Sequence, residues 1–186
     1  MTIRTAQPSD AVAVVQLLFD AIQDIGYQLT GAKTQEEVLD ALQQFFLQPG
    51  NRFSHSNILV KIAGENVAGM ILCYHGSEAE AIDKPIRDRL RRLKNDPALT
   101  LDKEADEDEY YIDALAVSPV WGGRGFGTEL IQAAERQAQR RGYDKIALNV
   151  EEYNERARSL YTKLGYSSDK ETIINKKTYY HMVKQL

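Results

Sequence analysis

The residues best suited to chemistry lie between Tyr110 and Gly127, in the run YYIDALAVSPVWGGRGFG. Tyr110 to Val117 is rich in β-branched and aromatic residues and reads as a strand. Ser118 and Pro119 stop it, because proline has no ladder donor. Glycines follow at 122, 123, 125 and 127, and Thr128, Glu129, Leu130, Ile131, Ala134, Glu135 and Ala138 then read as a helix. Strand, glycine turn and helix N-terminus together make a device for holding phosphate. Glycines let the backbone approach closely, and the free N–H groups of the first turn point at the anion. The candidate phosphate-binding residues are Gly122, Gly123, Arg124, Gly125, Phe126, Gly127 and Thr128, with Arg124 able to add charge. Taken alone, the cluster could equally be a tight turn. A dinucleotide fingerprint fails, since Thr128 stands where the third glycine would follow Gly123 and Gly125, and no G-x-x-x-x-G-K-[S/T] run exists. His55, His75 and His181 are scattered and have no cysteine partner at ligand spacing, so no metal is expected.

The elements that must position this stretch follow from periodicity. Met1 to Ala6 reads as a short edge strand, and Pro8, Ser9 and Asp10 open a helix carrying Val12, Val15, Phe19 and Ile22, which Gly26 is expected to end. Thr34 starts a second helix with Val38, Leu42, Phe45 and Phe46 as its stripe. Ser56 to Ala63 and Val67 to His75 alternate around a Gly64-Glu65-Asn66 turn and read as a hairpin. Residues 76–109 contain a charged helix with Ile82, Ile86, Leu90 and Leu93, then an acidic run, DKEADEDE. They read as an insertion within one domain spanning 1–186. After the central helix, closed by Gly142, come a strand over Lys145 to Val150, a helix from Asn154 to Leu164 stopped by Gly165, and a final hairpin turning at Asn175 and Lys176. The expected fold is mixed α/β (α+β), with a mostly antiparallel sheet and one or two parallel contacts in the middle.

Composition narrows the function. The 186 residues are 43% hydrophobic and 27% charged, with 23 Lys and Arg against 27 Asp and Glu, a net charge of −4. A pI near 5.5 argues against bulk nucleic-acid binding. Cys73 is the only cysteine, so an intrachain disulfide is impossible. No apolar run suits a signal peptide or a membrane span, and a cytoplasmic location is the default expectation.

The stretch from Tyr110 to Tyr166 resembles the GNAT superfamily of N-acetyltransferases. Val117, Ser118 and Pro119 fit that family's strand end, and Gly125 and Gly127 occupy the two small positions of its acyl-CoA loop. Gly122 departs from it, standing where Gln or Arg is usual, which shifts the burden to backbone amides and Arg124. Asn154, Ala157, Leu160, Tyr161, Gly165 and Tyr166 match its second signature. The resemblance implies a GNAT fold with splayed strands and acetyl-CoA as co-substrate. It implies a small-molecule or peptide amine as acceptor, attacking directly in a ternary complex, or else a non-catalytic acyl-CoA-binding domain. Leu115, Ala116 and Val117 would pair with the pantetheine arm, the Leu115 amide would face the thioester oxygen, and Asn154 would bind the same arm. Tyr161 would protonate the departing thiolate, and the last strand, with Tyr179 and Tyr180, could line a homodimer contact. The acceptor ammonium must first lose a proton. Period-two geometry sets Tyr111, Asp113, Leu115 and Val117 on one face, so Asp113 is the candidate base or the start of a water relay, with Glu109 in reserve. Asp113 could instead be a structural carboxylate, Tyr161 a core tyrosine and Asn154 a helix cap.

Overall fold

The computed structural model describes residues 2–186. Seven strands form one sheet: β1 (Thr2–Thr5), β2 (Ile58–Ala63), β3 (Asn66–His75), β4 (Tyr110–Val117), β5 (Lys145–Glu151), β6 (Ser167–Ile174) and β7 (Lys177–Gln185). Their order is β1-β2-β3-β4-β5-β7-β6, and among the described residues only β4 and β5 run parallel. Six α-helices cover it: α1 (Ala11–Ile22), α2 (Asp24–Thr30), α3 (Gln35–Leu47), α4 (Ala79–Lys94), α5 (Phe126–Arg140) and α6 (Glu155–Lys163). The sheet separates two apolar clusters. Val14, Leu18, Leu42, Phe46, Ile86 and Leu90 pack on one face with Ile58, Met70 and Leu72. Leu130, Ile131, Ala134 and Ala138 of α5 pack on the other with Ile71, Tyr110, Ile146 and Leu148.

Local chemistry explains most boundaries. Thr34 and Glu37 form a reciprocal capping box at the start of α3. The β6–β7 turn uses Asn175 and Lys176, both at positive φ, as a two-residue hairpin requires. Gly26 does not end the first helix. The chain breaks at Gln23 (φ 43°), α2 resumes, and Gly31 (φ 71°) is the true cap. Gly26 is small because a Cβ there would lie 3.3 Å from Val38 Cγ1, where α2 approaches α3. Residues 76–109 join β3 to β4, which are neighbours in the sheet. That connection is fixed at its ends, since Gly76 N donates to Glu109 O (2.8 Å) and a Cβ at Gly76 would fall 1.7 Å from Asp106 O.

The central irregularity is in β4. Leu72 pairs with Ala114 and Cys73 with Ile112, leaving Asp113 as an extra, bulged residue. The bulge reverses the side-chain alternation. Tyr110 and Ile112, then Leu115 and Val117, face α5, whereas Ala114 and Ala116 face α1. Asp113 therefore does not share a face with Leu115 and Val117, because one inserted residue shifts a period-two pattern by a full face. Directly beyond the pairing of Ile112 with Leu148, β4 and β5 part.

Candidate active site

The parted strands leave an edge whose polarity follows from the ladder. Ser118 N donates to Ala68 O (2.9 Å), and in an antiparallel pair bonded residues alternate. Ala116 and Ala114 therefore turn their backbone groups to β3. Leu115 and Val117 turn theirs to the open side, where β5 no longer runs. Of the expected pantetheine-binding trio, Ala116 thus pairs its backbone with β3, and Leu115 and Val117 face the open side.

At the end of that edge the chain enters the glycine turn. Trp121 N bonds Ser118 O (2.8 Å), Gly122 N bonds Pro119 O (3.1 Å), and the next bond along is Glu129 N to Gly125 O (3.0 Å). The amides of Gly123, Arg124, Gly125, Phe126, Gly127 and Thr128 have no acceptor among the described residues. The Gly122 amide closes the turn. Gly123 (φ 72°) and Gly125 (φ 78°) take left-handed conformations that aim successive N–H groups outward, and Gly125 caps α5. Arg124 lies over the Trp121 ring at 4.9 Å, and Trp121 stacks on Phe126 at 6.1 Å, which holds the guanidinium beside the turn. Beneath, the buried Lys61 sits 4.9 Å over Phe126 and pairs with Glu129.

Where the strands diverge there is a cavity of about 200 Å3. Its apolar wall comes from Ala21, Ile22, Ile25 and Leu29 of α1 and α2, with Phe53 and Ile174. Its mouth carries Leu115, Asn154 and Tyr161. Asn154 caps α6, its Oδ1 accepting from Ala157 N (3.1 Å), which leaves its amide nitrogen available. Burial pushes the Tyr161 hydroxyl up to about 12, so it keeps its proton at neutral pH.

The far end of the cavity is ionic. Asp113 accepts from Arg52 Nε at 2.5 Å, Glu104 from Arg52 Nη2 at 2.6 Å, and Asp83 lies 3.7 Å from Arg52 Nη1. The Arg52 side chain is 2% exposed. Burial works against its charge, but Asp113 and then Glu104 more than offset that, and the guanidinium stays charged. Its loop is held by side chains: Asn51 bonds Phe45 O and Gln48 O (both 2.9 Å), Asn57 bonds Arg52 O (3.2 Å), and Arg52 N donates to Ile82 O of α4 (3.0 Å). Glu104 is held by its own carbonyl, which accepts from Asn149 Nδ2 (2.9 Å). Asp113 is thus an ion-paired carboxylate on the cavity wall.

Glu109, the reserve base, is elsewhere. It is fully buried, accepts from Asp106 N (2.9 Å) and meets His181 Nε2 at 3.1 Å, outside the cavity. The fold also gathers what spacing did not predict, bringing ligand-type atoms of Asp106, Glu109 and His181 within 4.8 Å of one another. Asp169 takes the other His181 nitrogen (2.6 Å) and Lys170 takes Asp106 (2.6 Å), while Glu109 Oε2 makes no hydrogen bond and lies 3.7 Å from Lys145 Nζ. Sequence reasoning missed Arg52 and Glu104. No local pattern marks an arginine in a loop as buried, and Glu104 is one acid in a run of several.

The order of strands, the parted pair and the amide-lined turn together define an acetyltransferase fold. A family model described as the acetyltransferase (GNAT) family matches residues 19–166, and the chain belongs to that family. A solved acetyltransferase is 28% identical with a TM-score of 0.82, covering 100% of this chain and 99% of its own. An N-acetyltransferase from Staphylococcus aureus Mu50 is 29% identical with a TM-score of 0.84, covering 98% of this chain and 100% of its own. The PaiA N-acetyltransferase from Thermoplasma acidophilum, solved with coenzyme A, shares the fold at 16% identity and a TM-score of 0.59, covering 100% of this chain and 98% of its own. Comparison with curated proteins gives no match. No helix among the described residues is long and apolar enough to cross a membrane.

Proposed function

We propose that this protein transfers the acetyl group of acetyl-CoA to a primary amine by direct attack in a ternary complex. The observation that carries the reading is the run of six partnerless amides, Gly123 to Thr128, beyond a strand that has left its neighbour. The diphosphate of the cofactor binds those amides, helped by the positive end of α5 and by Arg124. The pantetheine arm completes the open edge of β4 through Leu115 and Val117, with the Asn154 amide alongside. The thioester then lies at the cavity mouth, and the Leu115 N–H meets its oxygen as negative charge develops there.

The acceptor enters the cavity. Glu104, Asp113 and Glu151 line it against a single lining cation, Arg52, which suits an amine that arrives as an ammonium. A cavity carboxylate takes its proton, the nitrogen attacks the thioester carbon, and the C–S bond breaks. The thiolate takes the Tyr161 proton. In this reading the 76–109 segment is an insertion that supplies the acidic floor through Glu104. Calorimetry with CoA and acetyl-CoA, followed by thiol release with an amine panel, tests the reading. Absence of binding heat on folded protein refutes it. Binding without release on any amine leaves a non-catalytic acyl-CoA-binding domain in its place.

A further inference from the structure

This inference rests on the acetyl-transfer reading and concerns which cavity carboxylate handles the proton. Asp113 and Glu104 reach the cavity from different elements, the bulge of β4 and the connection before it, and they share one cation. Arg52 Nε bonds Asp113 at 2.5 Å and Nη2 bonds Glu104 at 2.6 Å, with Asp83 3.7 Å from Nη1. Three carboxylates around one guanidinium carry excess negative charge, so the cluster accepts a proton more readily than an isolated acid. Each candidate gives one oxygen to Arg52, and the two differ in exposure and in the partner of the second oxygen. Asp113 is the more buried, 5% exposed against 11% for Glu104, and holds the shorter charge-assisted bond. Glu104 gives only Oε1 to Arg52, and its Oε2 meets a single weak donor, the Tyr111 hydroxyl at 3.3 Å. That hydroxyl is itself oriented by Asn149 Nδ2 at 2.9 Å.

We propose that Glu104, through Oε2, takes the proton of the acceptor ammonium, and that Asp113 is a positioning residue that fixes Arg52. The ammonium proton passes to Oε2, directly or through one water. The freed nitrogen pair forms the C–N bond as the C–S pair leaves on sulfur, and Tyr161 protonates the sulfur. Solvent then collects the proton from Glu104 and restores the one on Tyr161. Burial, followed by the field of Asp113, holds the Glu104 carboxyl above the ordinary glutamate range in spite of Arg52, as a base working near neutrality requires.

The test begins with thiol release by the wild type from acetyl-CoA with spermidine, free lysine and a short peptide amine. No turnover with any of them overturns the transferase reading and this inference with it. With an accepted amine, kcat/KM is followed against pH for wild type, Glu104→Gln and Asp113→Asn, with CoA affinity by calorimetry as a control. Glu104→Gln should keep CoA affinity, lose about 10²-fold or more in kcat/KM and lose the acidic limb of the profile. Asp113→Asn should keep that limb. If Glu104→Gln retains the limb, or if Asp113→Asn abolishes it, the assignment is overturned. Should Glu104→Gln not fold, Glu104→Asp decides: a retained limb at reduced rate supports the assignment, and its loss refutes it.

Discussion

Replacing Arg52 by Met tests the ionic floor most directly, because it removes the charge and keeps much of the length. The magnitude follows from the geometry. With charge centres about 4 Å apart, each close pair is worth about 4 kcal/mol at an effective dielectric near 20, so the Asp113 and Glu104 contacts together represent roughly 8 kcal/mol before desolvation is counted. Desolvation of a guanidinium that is 2% exposed cancels much of this. What the variant loses is set by what remains: Asp113, Glu104 and Asp83, with side chains 5%, 11% and 14% exposed and no shared cation. Removing one partner from such a cluster costs about 3–5 kcal/mol at neutral pH. For a chain of this size, a melting-point fall of about 6–20 °C is expected. The pH dependence separates this cause from lost packing. Without Arg52 the stranded carboxylates titrate higher in the folded than in the unfolded chain, so the fold binds protons and the deficit shrinks as pH falls. Urea unfolding of both proteins at pH 8 and pH 5 measures it. A deficit below about 1 kcal/mol at pH 8, or one equal at both pH values, refutes the argument.

Tyr161→Phe should leave CoA binding within about twofold and lower kcat by about 10²-fold, the smaller end of the range for general acid catalysis, as read by thiol release. An unchanged kcat would return Tyr161 to a packing role. His181 supplies a pH prediction. Burial lowers its ability to hold a proton, but its bonds to Glu109 and Asp169 more than reverse this, and its pKa is raised. A raised folded pKa gives stability that is complete below the ordinary histidine value, about 6.5, and is lost as pH climbs through the folded value. Wild-type stability by urea unfolding should therefore decline from pH 6.5 upward, and His181→Gln should flatten that slope. An identical slope in the variant would exclude His181 as its source.

Residue pattern alone determined much of this protein, because the controlling interactions are local. The strand over Tyr110–Val117, the glycine turn and the α5 start are set by propensity, the missing proline donor and the conformations open to glycine, within a few neighbouring residues. The Thr34 cap and the Asn175-Lys176 turn are legible for the same reason. Tertiary structure decided what depends on register and on distant partners. The Asp113 bulge exists only against β3, so period-two reasoning placed that side chain on the wrong face. Which amides are free depends on pairing with Ala68 and Pro119, partners that no local pattern specifies. Arg52 meets Glu104 and Asp113 across 52 and 61 residues of chain, and Glu109 is drawn to His181 across 72. Short-range stereochemistry reports where backbone is exposed to receive a phosphate. Only long-range packing selects which of many acidic side chains shares a buried charge at the acceptor end.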